Sequence, residues 1–270
     1  MTKGLDMNRV VERVAIVTGA TGAIGAAIVA GIAACPGFEV VLACRDGRKG
    51  ARTVERVVTA TGNRRVRYET VDLSRRVAVE ALAARWQGPL HVLVNNAAVT
   101  PKRREETPEG IELQFATNVL GYFWMIQAFA DILHRSAPAR VVNVASYWAG
   151  DLELADLEFK RRRYDNNTAY RQSKQADRML TAAFAERLQP LGVTANACHP
   201  GEVPSTLSHS LGFHGHHTPE EGARTPVWLA TASIGEKITG KYFADCREVR
   251  CEFAGDRAAV EGLFATCLLY

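Results

Sequence analysis

The sequence predicts an α/β fold built on a doubly wound parallel sheet. Short apolar, β-branched runs alternate with longer segments of helical spacing, and the first run leads directly into a glycine-rich turn. A strand, a helix of about ten or more residues and a further strand form the repeating unit of parallel sheets. We therefore expect a single domain that spans residues 1–270.

The composition is that of an ordinary globular protein, and it excludes several classes. Of the 270 residues, 47% are hydrophobic and 23% are charged, which rules out collagenous, low-complexity and disordered chains. The net charge is +4, but the basic residues are scattered, so we expect no nucleic-acid partner. Residues 1–13 contain no apolar core of a signal peptide or anchor, and no later stretch approaches the roughly 20 apolar residues of a membrane span.

The cysteines are spaced too sparsely for a disulfide framework. The six occur singly, at positions 35, 44, 198, 246, 251 and 267, and no CxxC pair is present. In a chain of this length, such a pattern is typical of buried thiols in a reducing compartment. We therefore expect a cytoplasmic protein.

Six apolar runs are predicted to be buried strands, because their centres lack the polar alternation of half-exposed strands. They cover Val14–Thr18, Glu39–Cys44, Val66–Leu73, His91–Ala97, Arg140–Ser146 and Val193–His199. Helical spacing marks Gly25–Ala34, Arg48–Thr61, Val77–Trp86, Glu109–His134, Ala169–Gln189 and a terminal helix over Asp256–Tyr270. Two long segments, 151–167 and 204–224, follow strands at the sheet edge where ligands bind in open α/β folds.

The glycine-rich turn predicts a dinucleotide site. It reads Thr18, Gly19, Ala20, Thr21, Gly22, Ala23, Ile24, Gly25. Glycine allows the backbone to turn tightly and to approach a pyrophosphate, and the N–H groups of the following helix favour that anion. The position between strand and helix in the first βαβ unit supports a Rossmann fold with a bound dinucleotide, against the alternative of a purely structural turn.

The residues after the second predicted strand bear on the choice between nicotinamide cofactors. An acidic side chain there would hold the ribose 2′-hydroxyl of NAD, whereas an arginine would pair with the 2′-phosphate of NADP. Arg45 is the first polar side chain after this strand, and Arg48 and Lys49 add positive charge. Asp46 favours NAD, but it could instead cap the next helix. We predict NADP (NADPH), with NAD as the alternative if Arg45 is only a solvated loop charge.

Three further residues predict acid–base chemistry. Tyr170 and Lys174 lie four residues apart in a predicted helix and therefore share one of its faces. A phenol has an unperturbed pKa of about 10, and a nearby ammonium lowers that pKa towards a useful range. Ser146 ends a predicted strand, where its hydroxyl could bind a substrate carbonyl or, alternatively, only cap a helix or form a turn.

The order of these motifs resembles that of the short-chain dehydrogenases/reductases over nearly the whole chain. The resemblance rests on the turn at 18–25, Asp72-Leu73, Asn95-Asn96-Ala97-Ala98, Asn118, Ser146, Tyr170-x3-Lys174 and Pro200-Gly201. A finer likeness, to the retinol dehydrogenase-like and WW-domain-oxidoreductase-like branch, rests on residues 41–46, 93–98 and 240–246. The sequence departs from the family at Ala23 and Ala98, where glycine is usual.

The resemblance implies an oxidoreductase that interconverts a lipophilic aldehyde or ketone and its alcohol. Tyr170 would then be the acid or base, Lys174 would lower its pKa and hold the nicotinamide ribose, and Ser146 would orient the substrate oxygen. Asn118 would hold a water that links Lys174 to solvent, or it would be a buried amide bonded to backbone. The cofactor would contact Gly19, Thr21, Gly22, Ala23, Ile24, Gly25, Arg45, Asp72, Leu73, Asn95, Ala97, Tyr170, Lys174, Pro200, Gly201 and Val203.

Further expectations concern the substrate, metals and assembly. Residues 204–224 would cover the substrate, and Tyr147 and Trp148 would form an aromatic wall for it or pack beneath the 151–167 loop. The histidines at 214, 216 and 217 lie in a glycine-rich loop without rigid ligand spacing, so no metal is expected. Helices flanking Asn118 and Tyr170 would form a homodimer or homotetramer unless the terminal helix prevents it. An NADP(H)-binding regulator with little turnover and an NAD(H)-linked alcohol dehydrogenase are the competing interpretations.

Overall fold

The computed structural model, which describes residues 13–233 and 238–270, contains one mostly parallel sheet of eight strands. The strands are β1 (Arg13–Thr18), β2 (Phe38–Cys44), β3 (Val66–Thr70), β4 (Val92–Asn95), β5 (Ala139–Val144), β6 (Val193–Cys198), β7 (Tyr242–Ala244) and β8 (Arg247–Val249). Their order is β3-β2-β1-β4-β5-β6-β7-β8, and among the described strands only the β7–β8 pair is antiparallel. The chain thus winds outward from β1 in both directions, which confirms the predicted Rossmann fold.

Helices cover both faces of this sheet. They are α1 (Ala23–Ala33), α2 (Gly47–Thr61), α3 (Arg76–Ala84), α4 (Gly121–Arg135), α5 (Asn166–Leu188), α6 (Thr206–Ser210), α7 (Pro219–Thr231) and α8 (Arg257–Leu268). A π-helical turn, Phe115–Leu120, leads into α4, and 3-10 turns cover Leu154–Asp156 and Gln189–Leu191.

The two faces of the sheet carry separate buried cores. Val14 and Ile16 of β1 belong to the core under α3, α4, α5 and α8, whereas Ala15 and Val17 belong to the core under α1 and α7. Consecutive residues of a strand point to opposite faces, so a strand that is buried on both faces needs an unbroken apolar run. This requirement explains why the predicted strands lacked polar alternation.

The predicted helix Glu109–His134 is wrong at its first turn. Gly110 adopts a left-handed conformation with φ of 82°, which interrupts a helix that begins before it. The Glu112 carboxylate then accepts hydrogen bonds from the backbone N–H groups two and three residues later. A side chain that bonds these N–H groups caps a helix, so the regular helical structure starts after Glu112.

The sequence analysis missed two strands and two helices after β6, namely β7, β8, α6 and α7. β7 and β8 have only three residues each, too few to show a period-two pattern. α7 contains Pro226, which argues against a helix from sequence, yet the helix packs closely on α1. Part of the segment 204–224, predicted to be a long loop, is therefore helical.

The terminal helix α8 covers the outer face of α4 and α5. The Phe264 ring lies 5.1 Å from that of Phe123 and 5.2 Å from that of Phe184, measured between centroids. The predicted homodimer or homotetramer through these helices stays a prediction.

Two expectations about membranes and targeting have different outcomes. Within the described residues, no helix is both long enough and apolar enough to span a bilayer. The prediction that residues 1–13 hold no apolar core concerns a segment that, apart from Arg13, lies outside the described residues.

We expect Leu263→Ala to lower the free energy of unfolding by about 3 kcal/mol, because truncating a buried leucine removes apolar contacts and leaves a cavity. Leu263 is 0% exposed in α8. The matched control is Leu269→Ala, whose side chain is 87% exposed and should change stability by less than about 0.5 kcal/mol. Urea unfolding measures both, and equal effects would contradict the packing of α8 on the core.

Candidate active site

Ser146, Tyr170 and Lys174 converge at the carboxyl end of β5. Ser146 lies two residues after that strand, and Tyr170 and Lys174 lie in α5. Asp165 caps the start of α5, because its carboxylate accepts a hydrogen bond from the Thr168 N–H. The three residues are 6%, 8% and 2% exposed. The Ser146 side chain lies close enough to the phenol to lower the pKa of Tyr170. The structure therefore brings together the three residues that the sequence predicted to act on one substrate.

The Lys174 ammonium is buried and donates two hydrogen bonds. Its Nζ donates to the Val144 carbonyl at 3.0 Å and to the Asp177 carboxylate at 2.9 Å. It also lies 5.1 Å from the ring centroid of Tyr122 and 5.8 Å from that of Tyr170. Burial by itself lowers the pKa of Lys174, but the Asp177 carboxylate and the two phenols outweigh burial and raise it. Lys174 therefore stays protonated at neutral pH.

The phenol of Tyr170 responds to opposing influences. Burial raises the pKa of Tyr170 and is the largest influence, whereas the Lys174 ammonium and the Ser146 hydroxyl lower it, so the pKa stays above the ordinary value of a phenol. The Asp177 carboxylate adds a smaller contribution that raises the pKa. Because the ammonium and the serine favour the ionised phenol, these two groups act in the direction that proton transfer requires.

Asn118 lies in the π-helical turn and is 0% exposed. Its Oδ1 accepts from the Val99 N–H at 2.8 Å, and its Nδ2 donates to the Val99 carbonyl at 3.1 Å. Nδ2 also donates to the Ser173 hydroxyl at 3.3 Å, and that hydroxyl donates to the Tyr170 carbonyl. These contacts are those of a buried amide bonded to backbone, one of the two interpretations open from sequence.

Two glycines of the turn, Gly19 and Gly25, are packed so tightly that a side chain would not fit at either position. A Cβ on Gly25 would lie 2.2 Å from the Gly19 carbonyl oxygen, and a Cβ on Gly19 would lie 2.7 Å from Ala97 Cα. The Thr18 hydroxyl accepts from the N–H groups of Asn96 and Ala97 at 2.8 and 3.1 Å. These contacts fix the ends of β1 and β4 against each other and leave the turn open towards the carboxyl edge of the sheet.

A cleft of about 550 Å³ lies beside this turn. The predicted cofactor residues that line it are Gly19, Thr21, Gly22, Ala23, Ile24, Gly25, Arg45, Asp72, Leu73 and Ala97. Lys49, Thr117, Ser205, Thr206 and Leu207 line it as well. A groove of this volume, with exposed turn amides and cationic side chains at one end, fits an extended phosphorylated molecule such as a dinucleotide.

Arg45 and Asp46, at the end of this cleft, have different roles. The Asp46 carboxylate accepts hydrogen bonds from the N–H groups of Arg48 and Lys49 at 2.9 and 3.1 Å, so it caps α2. This confirms the helix-cap interpretation of Asp46. Arg45 is exposed, it lines both the cleft and an adjoining cavity, and among the described residues no carboxylate pairs with it.

A second cavity lies over Tyr170 and encloses about 80 Å³. Its wall includes Trp148, whose ring centroid lies 4.4 Å from that of Phe213 and 6.0 Å from that of Tyr170. Tyr147 stands at the rim, 53% exposed, with its hydroxyl bonded to the Glu202 carboxylate. Of the predicted aromatic wall, Trp148 therefore lines the cavity, and Phe213 is a further member that the sequence analysis missed.

Six predicted cofactor residues do not line the cleft. Tyr170, Pro200, Gly201 and Val203 line the second cavity, whereas Asn95 and Lys174 line neither. Asn95 is 0% exposed, and its amide donates to Asn143 at 3.0 Å. The cleft and the second cavity share Ile24, Ser205 and Leu207, so they adjoin.

Within residues 13–233 and 238–270, no group of three or more His, Cys, Asp or Glu side chains could hold a metal ion.

Comparison with known proteins gives consistent matches. The family model described as short chain dehydrogenase matches residues 13–213. Retinol dehydrogenase 13 of Mus musculus is 35% identical over 253 residues, which cover 86% of this chain and 75% of that protein.

Two solved structures are similar as well. A putative uncharacterized protein from Mycobacterium Paratuberculosis has a TM-score of 0.78 and 27% identity, covering 95% of this chain and 92% of that one. The Pseudomonas aeruginosa RhlG/NADP active-site complex has a TM-score of 0.68 and 27% identity, covering 86% of this chain and 93% of that one.

We expect Gly25→Ala to lower the free energy of unfolding by about 2 kcal/mol and to weaken dinucleotide binding, because the new methyl group would push the Gly19 carbonyl out of place. The control is Gly255→Ala, where an added Cβ meets nothing within 4 Å. Urea unfolding and calorimetric titration with NADPH measure both effects. Wild-type binding and stability in Gly25→Ala would refute the close packing of the turn.

Proposed function

This chain belongs to the short chain dehydrogenase family and is retinol dehydrogenase-like, and from this premise we propose an NADP(H)-dependent enzyme that interconverts a lipophilic aldehyde or ketone and its alcohol. Family membership makes it an oxidoreductase that uses NAD(P)(H) and acts on a small molecule. One observation carries the finer proposal: Ser146 and Tyr170, with Lys174 behind them, face an aromatic cavity that adjoins the dinucleotide cleft.

The residues of the cleft suit a nicotinamide nucleotide. The turn at 18–25 and the first N–H groups of α1 would hold the pyrophosphate, because a helix N-terminus favours an anion. Asp72 and Leu73 would contact the adenine, and Val203 with its neighbours Pro200 and Gly201 would line the nicotinamide end. When bound, the cofactor supplies or accepts the hydride.

The protein's own residues move the proton. In carbonyl reduction, the Tyr170 phenol donates its proton to the substrate oxygen, and the Ser146 hydroxyl donates a hydrogen bond to the same oxygen. In alcohol oxidation, the Tyr170 phenolate accepts that proton. The Lys174 ammonium stabilises the phenolate, since an opposite charge nearby favours the ionised form.

The charges at the end of the cleft support a preference for NADP(H) over NAD(H). Arg45 is exposed there without a carboxylate partner among the described residues, and Lys49 lines the same wall. The nearby carboxylate, that of Asp46, is held at the start of α2 by two backbone N–H groups that bond its Oδ1, so it also serves as a helix cap. A guanidinium pairs well with a phosphate, which NADP(H) carries and NAD(H) lacks.

The lining of the second cavity supports a lipophilic substrate. Trp148, Leu211 and Phe213 contribute to its apolar wall, and largely apolar walls are typical of sites for such ligands. The enclosed volume of about 80 Å³ is smaller than a drug-sized ligand needs. We therefore propose that the segment 204–224, which carries Leu211 and Phe213, covers the substrate and moves outward to admit it.

We expect Tyr170→Phe to lower kcat by about a thousandfold, because the variant keeps the ring but loses the transferable proton. NADPH oxidation with benzaldehyde, cyclohexanone and decanal measures it. The control is Tyr270→Phe, which removes a phenol that donates to Glu158 at 2.6 Å and lines neither cavity. Undiminished turnover by Tyr170→Phe with every compound would refute the proposed proton donor.

We expect Arg45→Ala to reduce the preference for NADPH over NADH, as the ratio of kcat/KM values, by about tenfold or more, because it removes a charge-assisted contact to the 2′-phosphate. Arg52→Ala is the control, since Arg52 is exposed on α2 and lines neither the cleft nor the adjoining cavity. An NADPH preference that survives in Arg45→Ala would exclude Arg45 as its source.

A further inference from the structure

The partner of the Lys174 ammonium is a buried carboxylate that the proposed mechanism does not use. Asp177 lies three residues after Lys174 in α5, and the Nζ–Oδ2 distance is 2.9 Å. The two side chains are 3% and 1% exposed, whereas every other ion pair of the described residues has at least one partly exposed partner. A buried ion pair is costly to form, so its position beside Tyr170 calls for an explanation.

Asp177 is ionised at the pH values at which the proposed chemistry takes place. Burial raises the pKa of Asp177 to about 6, and the Lys174 ammonium opposes that rise. The carboxylate therefore carries its charge at neutral and alkaline pH. Its second oxygen, Oδ1, is buried without a hydrogen-bond partner among the described residues, so the carboxylate interacts chiefly with Lys174.

No other anion faces this pair among the described groups around it. The titratable and charged groups there are Tyr122 of α4, Tyr170 and Arg178 of α5, Cys198 of β6, Tyr242 of β7 and Cys267 of α8. Burial raises the pKa of the Cys267 thiol to about 12 and raises that of the Cys198 thiol as well, so both are neutral. Asp177 is thus the group that offsets the charge of Lys174.

We propose that Asp177 is a positioning residue that, together with the Val144 carbonyl, holds Lys174 behind Tyr170 and offsets part of the ammonium charge, so that Tyr170 serves as a base only at higher pH. The inference rests on the proposed role of Tyr170 as the acid–base group. A carboxylate disfavours a second negative charge nearby, and it therefore raises the pH at which the phenol ionises. Alcohol oxidation needs the phenolate, so its rate falls as the pH is lowered. Asp177 controls the pH at which this fall occurs, which is the acidic limb of the pH profile.

The test is the pH profile of kcat/KM for oxidation of benzyl alcohol with NADP⁺. In Asp177→Asn, an isosteric neutral variant, we expect the acidic limb to move to lower pH by about one unit. Asp177→Glu keeps the charge and should keep the limb of the wild type. A limb that stays in place in Asp177→Asn, with activity lowered equally at all pH values, would overturn the proposal and show a structural role alone.

Two further measurements keep the proposal testable. If Asp177→Asn does not fold, Asp177→Ser replaces it, since the smaller side chain admits water to the ammonium; the same shift is expected, and an unmoved limb would overturn the proposal. Ultraviolet titration of tyrosinate, with and without Tyr170→Phe in each background, gives the pKa of Tyr170 without any substrate. A Tyr170→Phe enzyme with full turnover would instead refute the proposed function itself, so the two failures are distinguishable.

Discussion

The two hydrogen bonds of the buried Lys174 ammonium are the interactions on which the rest of the site depends. A charged amine inside a protein is tolerated only where acceptors compensate for lost water, and here these are a carbonyl at the end of β5 and a carboxylate of α5. The ammonium thus ties the strand to the helix. Because Ser146 follows that strand and Tyr170 lies one turn before Lys174, this tie also sets the two hydroxyls against each other.

The sheet topology places the glycine turn and the proposed catalytic residues side by side. β1 and β5 run parallel, with β4 between them. The glycine turn follows β1 and Ser146 follows β5, so both lie at the carboxyl edge of the sheet. The short helix α6 spans the gap, since Ser205 and Leu207 line both cavities. One segment after β6 therefore lines both the cleft beside the glycine turn and the cavity over Tyr170, which suits the proposed transfer of hydride between two bound molecules.

Features set by local interactions were predictable from sequence, whereas those set by distant packing were not. The six longer strands, the glycine turn and the caps by Asp46 and Asp165 depend on residues within a few positions of each other. β7, β8 and the Phe213 wall depend on partners far along the chain, so no short pattern marks them. The sequence shows an acid three residues after Lys174, a spacing at which the two side chains can pair on a helix. The structure was needed to show that Asp177 is buried with Lys174.

The contact between Trp148 and Phe213 also gives the protein an optical property. The centroid of the indole lies 4.4 Å from that of the Phe213 phenyl ring and 6.0 Å from that of the Tyr170 phenol ring, in the wall of a cavity of about 80 Å³. Indole emission depends on the polarity and packing around the ring. Any molecule that enters by displacing Phe213 must therefore alter the fluorescence of Trp148, so that occupancy can be followed even for compounds that undergo no reaction.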